Sequence, residues 1–326
     1  MQFVPSAIAR RVVALLVVAP LALASTAELD AAPLRPVPHP ALRASTLRAA
    51  AALDARSAFW FADSLVGISG KLRARFVTND HPAFAVSAVE ELFGDSALSR
   101  PGVYTVFDSS FTRPLSFITL VPFADKARGR IGDYRIGFWP REHRRVHDGG
   151  YELPDGFIRV TPANEDTWVS QHFQLRDFLT HDQQDVWPKY LVLSDRLLDK
   201  LELVIQDLQD HGYPVDHMTI MSGFRTPEYN RQGVGRRGGR AFDSRHQYGD
   251  AADVFVDNTG SGRMSDLNHD GHVNTRDAEI ILAAVNRVEA EHPDLVGGAG
   301  VYRATRAHGP FVHIDARGDR ARWGVR

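Results

Sequence analysis

Three side chains late in the chain are of the types that hold a catalytic metal: His246, Asp253 and His313. Asp253 follows His246 by seven residues, and His313 comes 60 residues after Asp253. Two imidazoles and one carboxylate supply three ligands and leave a fourth position open for water. Hydrolytic zinc sites are built this way, whereas structural zinc sites are closed by four protein ligands. The same donor set also suits other transition metals. Taken singly, the residues say little. A histidine on a strand is commonly a packing or surface residue, and an aspartate after a Gly-Ala stretch commonly caps or hydrogen-bonds. Their weight depends on the elements that bring them together.

Gly249, Ala251 and Ala252 lie between His246 and Asp253, which predicts a tightly packed loop delivering His246 beside a strand over 252–256 that carries Asp253. A second strand is expected over 311–316. Side chains alternate along a strand, so Phe311, His313 and Asp315 share one face, and Asp315 is expected near a metal held by His313. A third strand is expected over 218–221. Leu197, Leu198, Leu201, Val204, Ile205 and Leu208 recur at spacings of three and four, the period of an amphipathic helix. Ser194 is its candidate N-cap and His211-Gly212 its end. The expected fold class is α+β: over 149–326, a small antiparallel sheet with packed helices carries the metal site.

The preceding part reads differently. Residues 103–107, 115–121 and 134–139 are rich in β-branched and aromatic types and bounded by turn residues such as Pro101-Gly102 and Asp108-Ser109-Ser110. They predict an N-terminal β-rich accessory domain over 58–148, with a boundary through 148–165. The pair His143 and His147 has helical ligand spacing, but no apolar helical pattern supports it, and the segment reads as a solvated basic loop. Residues 25–57 read as an Ala- and Pro-rich linker with a short helix over 43–53. Residues 1–24 read as an export signal: Arg10-Arg11, an apolar run over 12–24, and Ala22-Leu23-Ala24 as the cleavage site. The run is short for a membrane span, so no stable span is expected after cleavage.

The 326 residues carry a net charge of -2, which gives no electrostatic case for nucleic acid. The chain has no cysteine, so an exported form is held by its core or a metal, and any metal site is limited to His, Asp and Glu. These features together point to a periplasmic or secreted protein of the bacterial envelope.

Several ordered motifs carry a more specific signal. They are Ser170-Gln171-His172-Phe173, the run 222–230 (Ser-Gly-Phe-Arg-Thr-Pro-Glu-Tyr-Asn), the Ser-x-His-x-x-Gly-x-Ala-x-Asp run at 244–253, the segment 297–302, and the segment 311–315 followed by Trp323. From about 169 to 323 this set resembles the zinc D-Ala-D-Ala carboxypeptidases, which share a metal fold with lysostaphin and the hedgehog domain. The resemblance implies that His246, Asp253 and His313 are zinc ligands and that Arg225 grips a substrate carboxylate or carbonyl oxygen. A guanidinium fork independently suits that task. Many relatives place a proton acceptor two or three residues before the last ligand, where this chain has Phe311 and Pro310. Asp315 is then the first candidate base and His308 the second.

Between the second and third ligands, residues 266–277 have the spacing of a twelve-residue calcium loop. Asp266, Asn268, Asp270, Asn274 and Asp277 supply oxygens at positions 1, 3, 5, 9 and 12, His272 its backbone carbonyl at position 7, and Gly271 the sharp turn. Asp277 stands where an EF-hand has glutamate, as dockerin loops do. This predicts a calcium-loop insert over 264–291, including a helix with Ile280, Ile281, Ala284, Val285 and Val288 on its apolar side. The expected function is zinc-dependent hydrolysis of peptide bonds in peptidoglycan peptides, with Zn2+ and Ca2+ bound. The alternative is a catalytically silent wall-binding module that keeps the zinc fold.

Overall fold

The computed structural model describes residues 75–77, 93–94, 96–97, 100–106, 115–142, 151–235 and 239–324. The expected export signal, the linker with its helix, and the His143/His147 segment lie outside the described residues. No described helix is long and apolar enough to cross a membrane.

The chain forms two compact units, one of 1–120 with 168–171, the other of 121–167 with 172–326. In the first, β1 (Arg75–Val77), β2 (Gly102–Val106) and β3 (Leu115–Thr119) form a sheet in the order β1-β3-β2. Phe117 and Ile118 are buried on it, and Phe93 stacks on Phe117 with ring centroids 5.3 Å apart.

The second unit begins with β4 (Val121–Pro122), followed by the two-residue strands β5 (Arg130–Ile131) and β6 (Tyr134–Arg135). The division between the compact units falls at Val121. The strand expected over 134–139 stops after Arg135, because the backbone turns through Gly137 at φ 82°. Trp139 beyond it is buried and donates its indole N–H to the Gln247 carbonyl at 2.9 Å. The turn-rich stretch read as a boundary contains β7 (Gly156–Val160), whose Phe157, Ile158 and Val160 are buried. It pairs between β4 and β8 (Lys189–Leu191).

The rest of this unit carries the metal-type residues. An amphipathic helix α1 (Asp195–Asp210) forms where the leucine spacing predicts, with Ser194 at the N-cap position and His211 at the C-cap. After it come β9 (Met218–Ser222), the short helix α2 (Pro227–Gln232), β10 (Ala251–Val256), α3 (Thr275–Glu291), β11 (Gly298–Tyr302), β12 (Phe311–Asp315) and β13 (Ala321–Gly324). The sheet order is β13-β11-β12-β10-β9. All neighbours are antiparallel except β11 and β13. This is a mixed architecture of small, mainly antiparallel sheets and packed helices, as the α+β class requires.

The helix α3 is more than an appendage of the loop before it. Ala278, Ile281, Ala284, Val285 and Val288 are buried. Its Glu289 accepts from Lys200 of α1 at 2.7 Å and pairs with Arg322 of β13. Lys200 also donates to the Asp315 backbone carbonyl at 2.7 Å, and its side chain is fully buried. Burial pulls the lysine pKa down, opposed by Glu289. An ion network therefore ties both long helices to the end of β12. Removing one partner of a buried pair leaves a charge uncompensated. Lys200→Ala is expected to lower unfolding stability by about 3 kcal/mol, measured by urea denaturation.

Candidate metal centre

His246, Asp253 and His313 come from three elements. Asp253 sits in β10, directly opposite His313 of β12 on one side and Ser222 of β9 on the other. The β9–β10 pairing shifts register between Asp253 and Val254, a bulge that bends the strand beside the site. His246 sits in a 3-10 turn, Arg245–Tyr248, ended by Gly249 at φ 71°. A side chain at Gly249 would collide with the Val192 backbone. The turn docks through Arg225 N–H, which donates to the His246 carbonyl at 3.0 Å, and through Arg245, which pairs with Asp250.

The three donor atoms converge. His313 Nδ1 lies 3.0 Å from Asp253 Oδ1 and 3.2 Å from His246 Nε2, and His246 Nε2 lies 3.3 Å from Asp253 Oδ1. A tetrahedral zinc with bonds of about 2.0–2.2 Å sets its ligand atoms about 3.3–3.6 Å apart. The observed triangle is close to one face of that tetrahedron. All three residues are buried, and among the described residues they are the group placed to hold a metal ion.

The tautomers decide what the triangle wants. His246 Nδ1 lies 2.7 Å from the Gly223 carbonyl, which can only accept, so Nδ1 carries the hydrogen and Nε2 presents a lone pair. His313 Nε2 lies 3.1 Å from the Asp315 carboxylate and carries a hydrogen there, while Nδ1 faces Asp253 and turns a lone pair inward only once it has given up its own proton. With the Asp253 oxygen, and with Nδ1 deprotonated, three electron pairs face one point. Such a buried arrangement is repulsive unless a cation occupies it, and so the donor set fits zinc. Burial pulls the His246 pKa down to about 4, which keeps it a neutral ligand. Burial opposes the Asp253 charge, but His246, His313 and Arg225 outweigh it and hold the carboxyl well below the usual range. Burial also opposes charge on His313, yet hydrogen bonds to Asp253 and Asp315 raise its pKa, so without a metal a proton on Nδ1 bridges to Asp253, and a bound cation would take that proton's place.

Asp315 does not stand where a base would. Alternation puts it on the His313 face, but its carboxylate meets the imidazole from behind, at the nitrogen away from Asp253. It is fully buried and accepts from Gly298 N–H at 2.7 Å and from the Arg317 guanidinium at 2.5 Å. Burial resists its ionisation, but His313 and Arg317 hold its pKa far below the ordinary value. It orients His313 as a carboxylate–histidine–metal relay does. The segment over 297–302 matters for the same reason. A side chain at Gly298 would strike Asp315 and Trp323, and one at Gly300 would strike the Trp323 indole.

Arg225 reaches the site from the turn after β9. Its Nη2 donates to Asp253 Oδ2 at 2.5 Å and its Nε to Ser222 Oγ at 2.8 Å. The guanidinium first orients the metal carboxylate, and Nη1 is left without a partner among the described residues. His308 lies in the loop before β12. Its Nδ1 is 2.8 Å from the Gly309 carbonyl, and its ring packs edge-on against Phe311 at 5.0 Å. His172 of the early motif is anchored to Glu202 of α1 at 2.6 Å and takes a packing role.

The calcium-type loop behaves differently from the zinc-type triad. Asp266 accepts from Gly271 N–H at 2.8 Å, Asn268 from Asp270 N–H at 2.9 Å, and Asp270 from His272 N–H at 2.9 Å. The His272 carbonyl accepts from the Asn274 amide at 3.1 Å. Asp277 is fully buried, capping α3 through Asn274 N–H at 2.8 Å and holding Leu267 N–H at 2.8 Å. Backbone amides take the carboxylates that the spacing assigns to calcium.

Residues missed from the sequence are mostly those that act through backbone or from behind: the Gly223 carbonyl, Ser222, Arg317 and Lys200. Gly223 and Ser222 lay inside a recognised motif; Lys200 gave no signal beyond a charge on the apolar side of a helix.

Residues 172–274 match a family model described as Peptidase M15, a family of zinc-dependent peptidases. The match contains His246 and Asp253, while His313 lies beyond it and joins them through the β10–β12 register. No significant match was found among curated proteins or solved structures.

The relay role of Asp315 has a measurable signature. Asp315→Asn is expected to weaken zinc binding about 10- to 100-fold, read by competition with a chelator, while His308→Ala leaves zinc affinity unchanged.

Proposed function

On the premise of the Peptidase M15 match, we propose that the chain is a zinc-dependent peptidase of the bacterial envelope that cuts peptide bonds in peptidoglycan stem peptides or their cross-links. The observation that carries the metal reading is the buried triangle of His246 Nε2, Asp253 Oδ1 and His313 Nδ1, each side chain held from behind. The substrate rests on the resemblance of the motifs to D-Ala-D-Ala carboxypeptidases, and the periplasmic or secreted location on the signal-like residues 1–24. The β-rich N-terminal part would serve as an accessory domain.

When bound, zinc supplies a water with a pKa near about 7 and a Lewis acid for the scissile carbonyl. The chain's own residues do the rest. Gly223 and Asp315 fix the two imidazoles. Arg225 holds Asp253 through one nitrogen and offers Nη1 to a substrate carboxylate or carbonyl oxygen, so its grip is a single bond rather than a fork. His308 is the candidate proton acceptor. Its Nδ1 faces a carbonyl and so carries the hydrogen, which leaves Nε2 able to take a proton.

A silent wall-binding module is the second reading. It is favoured by the side chains before His313, since Pro310 and Phe311 accept no proton, and by the engagement of Asp315 elsewhere. Digestion of purified peptidoglycan, with products read by mass spectrometry, separates the two. The peptidase reading expects new peptide termini with the wild type and none with His246→Ala. Identical, cleavage-free profiles would leave the binding module.

Calcium binding by residues 266–277 is proposed on the spacing of their oxygens and on Gly271 at φ 82° in the sixth position. The ion would take Asp266, Asn268 and Asp270 from their present amide partners. Calorimetric titration is expected to show binding at or below millimolar calcium. A flat titration at that concentration rejects it.

A further inference from the structure

The sheet face that carries the metal residues also carries an aromatic wall that no step above uses. Gly300 of β11 pairs with His313 on one side and Trp323 on the other. With no side chain at Gly300, the Trp323 indole covers that position and lies against the His313 ring, centroids 5.1 Å apart. The indole N–H, which can only donate, donates to the Tyr302 hydroxyl oxygen at 2.8 Å. Tyr302 lies opposite Phe311, and the two rings stack at 4.6 Å with planes 3° apart.

These contacts fix the phenol on two sides and define its remaining capacity. Its oxygen accepts from Trp323, its ring is held by Phe311, and its own O–H has no acceptor among the described residues. Both Tyr302 and Trp323 are more than a third exposed. The charges of Asp253 and Arg225 also reach the hydroxyl. Packing on Phe311 would be served as well by a phenylalanine. A rigid, outward hydroxyl donor beside a buried cation site is what an oxygen-bearing ligand at that site needs.

We propose that Tyr302 contacts the substrate, its O–H donating to a carbonyl or carboxylate oxygen of a peptide held at the metal centre, with Trp323 as the residue that positions the hydroxyl. The inference rests on the peptidase reading and adds a donor to the Nη1 of Arg225. The peptide oxygen then lies between two donors, from the turn after β9 and from β11, that flank the metal-residue strands β10 and β12.

The test uses the full chain loaded with zinc and two probes that bind the metal differently. One is a dipeptide phosphinate, whose oxygens can accept from the hydroxyl; the other is a simple alkyl thiol, which lacks such oxygens. Tyr302→Phe is expected to keep zinc stoichiometry and thiol affinity, and to bind the phosphinate about tenfold more weakly. Its kcat/KM on a soluble stem peptide falls by a similar factor. Trp323→Phe shifts the phosphinate in the same direction by less. Wild-type phosphinate affinity in Tyr302→Phe, or equal weakening of both probes, overturns the proposal. A wild type that binds both probes but cleaves no peptide defeats the peptidase reading, while the probe comparison still decides the role of Tyr302.

Discussion

His246 Nε2, Asp253 Oδ1 and His313 Nδ1 converge to 3.0 to 3.3 Å of one another in a buried site, a spacing that a shared proton or a cation must hold together. Buried polar groups packed this closely are held only by surroundings that over-determine them. Much of the second unit can be understood as that surrounding. Gly223 and Asp315 set the tautomers. Arg225 supplies positive charge to Asp253 from the second oxygen. Arg317 and Gly298 hold Asp315, and Lys200 and Glu289 hold the backbone behind it.

The arrangement explains why an aspartate two residues after a metal histidine is a poor guide to catalysis. Both side chains occupy the same face of β12, but an imidazole has two nitrogens on different edges. Once Nδ1 turns to Asp253, Nε2 must turn elsewhere, and the next side chain on that face receives it. Sharing a face therefore places Asp315 in contact with His313 and at the same time takes it out of reach of the chemistry.

What the sequence disclosed followed the strength of the local signal. The leucine period of α1 and the alternation over 311–315 gave elements close to those observed, since burial of one face dictates both. The triad was legible because its neighbours form ordered motifs. The strand β11 was not, because Gly297, Gly298 and Gly300 lower strand propensity; their value lies in admitting Asp315 and Trp323, which only the fold reveals. Strand β7 was hidden by flanking turn residues that resemble a linker. In the loop 266–277, spacing alone could not distinguish oxygens that face an ion from oxygens that cap backbone amides, because both uses favour Asp and Asn at the same positions.

The strand order β13-β11-β12-β10-β9 has a consequence for timing. When synthesis has passed Asp253, the chain owns two donors and the edge of an unfinished sheet. The third donor arrives on a strand that inserts between β10 and β11, and the indole that covers Gly300 arrives only with β13. Pairings this distant in sequence form late, since loop closure must precede any reward from the contact. A metal that needs all three donors would therefore find its full site only after the last strands had taken their register.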